Sequence, residues 1–328
     1  MGYGVAVAKR NHEVMHSNIL VTGAVGFLGS HICQYFGQRG HSIIGVDKFS
    51  PTLLSSDFYP NLHGFYEIQL PDDTFISLLK DFQPALLIHC AGSASVPYSM
   101  QEPYDDFRQS AGVSAFILDS LRRYLPACHF IFLSSAAVYG NPVTLPITEE
   151  TPCQPISPYG YHKYICEMLC QEFTSIYDIK CSILRIFSAY GERLRKQVIF
   201  DLCRKFADPS SQIVEVYGSG NETRDFIHAI DIAQAIEILF MKKATGIYNV
   251  AAGKQTHISE IVDMVKSCFH SGKDILYSGT LRTGDPLYWQ ADTSKLMGLG
   301  FQSTISIHEG IKNYYNWFRS EYGRKHDQ

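Results

Sequence analysis

The chain has 328 residues, which is enough for two domains of ordinary size, or one large α/β unit with an appendage, around a sizeable core. Apolar residues make up 45% and charged residues 18%, a balance that excludes a disordered chain, a collagen or a coiled coil as the main architecture. A net charge of −4 leaves no surplus of Lys and Arg for a broad nucleic-acid or lipid-headgroup surface, so neither partner is expected.

Residues 1–17 contain no long apolar stretch and read as an extension ahead of the first strand rather than a secretory signal. Strand-length apolar runs follow at 18–22, 42–46, 85–89, 130–134 and 180–185. Helical stretches lie between them. Residues 30–39 have a helical apolar pattern with Gly40 as the expected C-cap; 103–124 and 159–177 follow, the latter after a Pro-rich turn. This alternation predicts an α/β fold with a doubly wound parallel sheet over 18–185. Beyond Arg185 the pattern loosens into a smaller, partly interleaved C-terminal lobe, mainly 186–328. A helix at 231–242 and a buried strand at 246–250 should complete the sheet from about 229 to 250, and 258–269 reads as a helix of the small lobe. No run reaches the ~18 apolar residues of a membrane span. The nine cysteines show neither C-x-x-C nor zinc-finger spacing, and the histidines show no H-E-x-x-H pattern. Reduced thiols in a cytoplasmic protein without a metal site are expected.

Directly after the first strand, Thr22-Gly23-Ala24-Val25-Gly26-Phe27-Leu28-Gly29-Ser30 spaces its glycines G-x-x-G-x-x-G and opens a helix. Glycine lets the backbone turn tightly and approach a pyrophosphate, and the free N–H groups at a helix start attract its charge. Asp47 ends the next strand, eighteen residues beyond Gly29, near the offset of an acid that binds the adenosine ribose hydroxyls. Its carboxylate would repel a 2′-phosphate and so favours NAD over NADP, although Lys48 stands beside it.

In Ser157-Pro-Tyr159-Gly-Tyr-His-Lys163, Tyr159 and Lys163 are four apart and share one helix face. A phenol is a weak base at neutral pH; a lysine ammonium and a nicotinamide cation nearby would stabilise its phenolate. The strand before this helix ends in Ser134-Ser135, and hydroxyls at that end of a central strand lie where open α/β sheets bind ligands. Ser135 is the candidate; Ser134, pointing to the other face, competes with it.

These segments, with His89-Cys-Ala91-Gly92, SSAAVYG, LRIFSAYG, TRDFIHAIDIA and RTGDPLYWQAD, occur in an order that resembles the extended short-chain dehydrogenase/reductases. More narrowly, the chain is similar to the NAD-dependent nucleotide-sugar epimerases and dehydratases over about residues 18–318. The resemblance implies a Rossmann domain holding NAD and a C-terminal lobe closing over a nucleotide diphosphate sugar. It makes Ser135, Tyr159 and Lys163 the catalytic residues. It assigns cofactor contacts to Gly23, Gly26, Phe27, Leu28, Gly29, Asp47, Gln69, Leu70, Ala91, Gly92 and Phe187, together with Tyr159 and Lys163. Substrate contacts fall to Ser135, Ser188, Arg224, Arg282 and Trp289, the two arginines holding the diphosphate. The chain departs from the family pattern where Gln69-Leu70 replaces an Asp-aliphatic pair, Ser188 an Asn and His162 a Ser. The family's helix Asn has Gln109 or Ser110 as its nearest counterpart.

Ala136 and Ala137 stand where the family's 4,6-dehydratases carry an acid pair, so an epimerase inverting C4 through a 4-keto sugar is the expected activity. A 4-ketosugar reductase or dehydrogenase is the nearest alternative, and a dehydratase or a non-catalytic dinucleotide sensor is disfavoured. The large indole of Trp289 is expected to exclude an acetamido group at C2. Relatives pair through helices corresponding to 103–124 and 159–177, which implies a homodimer. The cluster Arg193, Arg195, Lys196 reads as a solvated loop in preference to a diphosphate site.

Overall fold

Apolar strands buried on both faces need helices above and below them, and the chain supplies both. The computed structural model describes residues 16–49, 62–92, 94–280 and 287–322; most of the expected N-terminal extension, and Arg282, lie outside these. The strands are β1 (Asn18–Thr22), β2 (Ser42–Asp47), β3 (Leu62–Glu67), β4 (Leu86–His89), β5 (His129–Ser135), β6 (Cys181–Ile186), β7 (Ser188–Tyr190), β8 (Ile213–Val216), β9 (Thr223–His228), β10 (Gly246–Val250), β11 (Gln255–His257) and β12 (Asp274–Tyr277). The helices are α1 (Phe27–Gly37), α2 (Asp73–Phe82), α3 (Val96–Gln101), α4 (Pro103–Phe107), α5 (Val113–Tyr124), α6 (Pro158–Tyr177), α7 (Gln197–Ala207), α8 (Ala229–Lys242), α9 (Ile258–Phe269), α10 (Ser294–Met297) and α11 (Ile307–Tyr322).

Seven strands form one parallel sheet in the order β10-β6-β5-β4-β1-β2-β3. The winding direction reverses between β1 and β4, and such a reversal opens a crevice beyond the carboxyl ends of the strands. Register places those ends side by side: Thr22 opposes both Val46 and His89, and His89 opposes Phe132. One sheet face buries Ile19, Val21, Ile88 and Leu133 against α1 and α8. The other buries Leu20, Leu87, Phe130 and Phe132 against α2, α5 and α6. The later chain builds two small sheets, β11-β9-β7 and β12-β8, and a separate core in which Leu202, Val262, Tyr314 and Phe318 join α7, α9 and α11.

The expected strands and long helices are present with ends shifted by at most three residues, but three features differ. Helix α1 stops at Gly37 with Gln38 as its C-cap, not Gly40; Gly40, at φ +82°, turns the chain into β2 and donates its N–H to Gly37 O. The single helix read at 103–124 is α4 and α5 joined by a π-turn at Arg108–Gly112. Strand β3 and helix α2 carry no expectation from the sequence, because β3 is a half-exposed edge strand whose apolar residues are interrupted by His63 and Gly64.

Under the crevice, His89 is buried between the rings of Phe130 and Phe132, with Nδ1 2.7 Å from Thr22 Oγ1 and Nε2 3.2 Å from Ser114 Oγ. Burial, aided by the charge of Lys163, pulls its pKa down to about 3, so the folded protein keeps it neutral. A histidine depressed on folding contributes stability above its unfolded pKa of about 6.5 and loses it as pH falls toward the folded value. Denaturant unfolding should therefore show a loss of about 2.5 kcal/mol from this site between pH 7 and pH 4.5. His89→Asn should lose less over the same interval; an equal loss would remove His89 as the cause.

Candidate active site

The turn after β1 is built from backbone contacts that only glycine permits. Gly23 sits at φ +70°, and a Cβ there would lie 2.6 Å from Ala91 N. At Gly29 a Cβ would meet Gly23 O at 2.1 Å. The glycine-rich turn is thereby folded onto both the end of β4 and the start of α1. Among the described residues a Cβ on Gly26 would meet only Gly23 O, at 3.1 Å, so this glycine sits tightly on Gly23 with its other side unobstructed beside the first turn of α1. That turn has neither a side-chain cap nor an acid. An open backbone cradle with helix-start N–H groups suits a dinucleotide pyrophosphate. Asp47 braces the loop, accepting from Val25 N–H at 2.9 Å and Phe49 N–H at 3.3 Å. Gln69 and Leu70 line an open pocket of about 370 Å³ with Pro71, Asp105, Arg108 and Gln109, and Lys48 Nζ donates to Gln109 Oε1. Ala91 and Gly92 follow β4, with Gly92 exposed at φ +130°.

Three residues converge where β5 meets α6. Ser157 caps α6, accepting from Gly160 N–H, and Tyr159 N–H donates to Ser99 Oγ. A Cβ on Gly160 would lie 2.7 Å from Ala137 O, so this glycine lets α6 close onto the turn that follows Ser135. Lys163 is buried, donates from Nζ to Leu133 O at 2.9 Å, and lies 6.0 Å from the centre of the Tyr159 ring. Ser135 is half-buried at the strand end, where its Oγ accepts from Ala137 N–H. Ser134 is turned into the core. His162 faces away from Lys163, paired with Asp106 at 2.5 Å.

Behind this trio is a buried polar network. Ser134 Oγ donates to Glu167 at 2.5 Å, and the Arg185 guanidinium grips both oxygens of the same carboxylate at 2.7–3.1 Å. Arg185 also donates to Tyr139 Oη, which donates to Asn249 Oδ1. Glu167 is 0% and Arg185 3% exposed. Neither residue carries a role in the sequence reading, although Glu167 stands one turn beyond Lys163, an i+4 spacing that shares its helix face.

On the opposite wall Phe187 packs edge-on against Trp289 at 5.6 Å, and the indole N–H donates to Gly140 O at 3.1 Å. Trp289 is 7% exposed, so it forms a fixed wall. Ser188 lies half-buried on β7, and Arg224 Nη1 donates to Thr223 O and Leu287 O. In the basic loop after β7, Arg195 and Lys196 are exposed; Arg195 pairs with Glu321 on α11, and Lys196 Nζ donates to Ala94 O. Among the described residues no three His, Cys, Asp or Glu side chains gather as a metal site, and no helix is long and apolar enough to cross a membrane.

Removing one partner of a buried ion pair leaves the other uncompensated, at a cost of about 3–5 kcal/mol. Glu167→Gln should lower unfolding free energy by an amount in that range; a loss below 1 kcal/mol would show that the Arg185 charge finds compensation elsewhere.

The profile of the NAD dependent epimerase/dehydratase family matches residues 19–251. A UDP-glucose 4-epimerase of Mycolicibacterium smegmatis is 26% identical over 92% of this chain and 98% of its own. Two solved structures, each 28% identical, cover 93% of the chain and 99% of their own length. The UDP-N-acetylglucosamine 4-epimerase of Methanobrevibacter ruminantium superposes with a TM-score of 0.85, and the UDP-glucose 4-epimerase of Thermotoga maritima with 0.83. The glycine cradle and the doubly wound sheet agree with that likeness, and the chain belongs to the NAD-dependent epimerase/dehydratase family as a nucleotide-sugar epimerase of the extended short-chain dehydrogenase/reductase type.

Proposed function

We propose that the protein inverts C4 of a nucleotide diphosphate sugar through a transient 4-keto sugar. The observation that carries this reading is the convergence of Ser135, Tyr159 and Lys163 at the β5–α6 junction, with methyl groups, not acids, at Ala136 and Ala137. Tyr159 takes the C4 hydroxyl proton and later returns it, and Ser135 orients the same oxygen. Lys163, fixed by Leu133 O, stabilises the phenolate electrostatically and holds the nicotinamide ribose. NAD, when bound, supplies the hydride acceptor and donor. Gly23, Gly26 and Gly29 would hold its pyrophosphate, Asp47 its adenosine ribose, and Phe187 would border the nicotinamide. Elimination of water would need a proton donor and acceptor beside C5 and C6, which alanine cannot provide.

Ser188 and Arg224 hold the diphosphate in this reading, together with Arg282. A UDP-sugar is the first substrate to test, because the relatives named above are UDP-sugar 4-epimerases. Trp289, anchored through its N–H, favours a plain C2 hydroxyl over an acetamido group. The exposed Tyr104, Phe107, Tyr161, Met168 and Ile176 on α4 and α6 support pairing of two copies in solution.

Tyr159→Phe should keep the fold and bound NAD but lower turnover of UDP-glucose or UDP-galactose by about 10²-fold or more. Near-parental turnover would remove Tyr159 from the mechanism. The parent protein should turn over plain UDP-hexoses faster than their N-acetylated counterparts, and equal rates would show that Trp289 does not screen C2.

A further inference from the structure

We propose that Lys196, carried on the loop between β7 and α7, clamps the pyrophosphate of NAD from the side opposite the glycine cradle. The proposal stands on the family's NAD dependence and is independent of the C4 reaction. Loop 191–197 reaches both banks of the phosphate loop. On one bank Glu192 pairs with His31 of α1 at 3.7 Å and with His228 at 3.4 Å, and the charge of Arg193 acts on His31 and Cys33 of the same helix. On the other bank Lys196 Nζ donates to Ala94 O at 2.5 Å. Ala94 is three residues beyond Ala91, the residue against which Gly23 packs. The loop therefore spans the turn that would cradle the phosphates, with a cation at its far end.

The loop is also held in a costly conformation. Arg193 and Gln197 sit at φ +72° and +67°, which L-residues rarely adopt without compensation from their surroundings. Lys196 is exposed at the surface, and partial desolvation of its ammonium together with the Lys163 charge still holds it below the ordinary lysine range. A cation so placed, with a single neutral carbonyl as its hydrogen-bond partner among the described residues, is stabilised by an arriving anion. The anion expected beside the glycine cradle is the dinucleotide pyrophosphate. Lys196 belongs to the chain segment that leads into the substrate lobe, so its contact ties retention of NAD to the position of that lobe.

The test measures NAD retained through purification and its dissociation constant, together with the dissociation constant for UDP, in the parent, Lys196→Met and Lys196→Arg proteins. Lys196→Met should bind NAD about tenfold more weakly or worse, Lys196→Arg should recover most of the affinity, and UDP binding should change less than threefold in both. Unchanged NAD affinity in Lys196→Met overturns the proposal. A weakened UDP affinity with NAD unchanged also overturns it, assigning the cation to the substrate's diphosphate. Should Lys196→Met fail to fold, the salt dependence of NAD release in the parent and in Lys196→Gln decides: a slope shallower in Lys196→Gln supports the clamp, and equal slopes overturn it.

Discussion

The candidate site depends on α6 lying against the carboxyl end of β5, and the contact that holds it there is buried and charged. Glu167 receives the Ser134 hydroxyl and both arms of the Arg185 guanidinium, so β5, β6 and α6 meet on one carboxylate. Burial alone would lower the Arg185 pKa, yet Glu167 more than reverses this and raises it above the ordinary arginine value. Two charges taken out of water repay their desolvation only when geometry and extra hydrogen bonds are good. Here Tyr139 and the Glu149 carbonyl supply those extra bonds. Apolar side chains in place of the network would leave only packing, without this charged joint, to hold Lys163 against Leu133 O.

That register decides which serine faces the cleft. Adjacent strand residues point to opposite faces, and Glu167 claims the hydroxyl of Ser134. Ser135 is left at the cleft, with its oxygen oriented by Ala137 N–H. Gly160 completes the arrangement, because any larger residue would push α6 off Ala137 O. Electrostatics and close packing thus act on the same joint from two sides.

Much of this was legible in the chain. The phosphate loop is readable because glycine spacing reports backbone geometry directly, and the parallel sheet because buried strands appear as unbroken apolar runs. The four-residue step from Tyr159 to Lys163 is likewise a property of any helix. The choice between Ser134 and Ser135 was open in sequence, since it turns on a carboxylate thirty-three residues away. The partner of Glu167, Arg185, lies on strand β6 while Glu167 lies on helix α6, and no local pattern joins them. In sequence Lys196 reads as one charge in a basic loop, because its bond to Ala94 spans 102 residues. Short strands β7, β8, β11 and β12 carry three or four residues each, too few for a periodicity to register.

In the proposed reaction a hydride leaves C4 of the sugar and returns to its other face within the same site. It is tested most directly by running the reaction in deuterium oxide and following coenzyme and product together. A hydride that never enters water leaves the epimerised sugar without carbon-bound deuterium and consumes no external coenzyme in proportion to product. Stoichiometric oxidation of NADH or NADPH would contradict the account by making the enzyme a reductase. Deuterium at C3 or C5 would contradict it by showing proton removal beside a ketone.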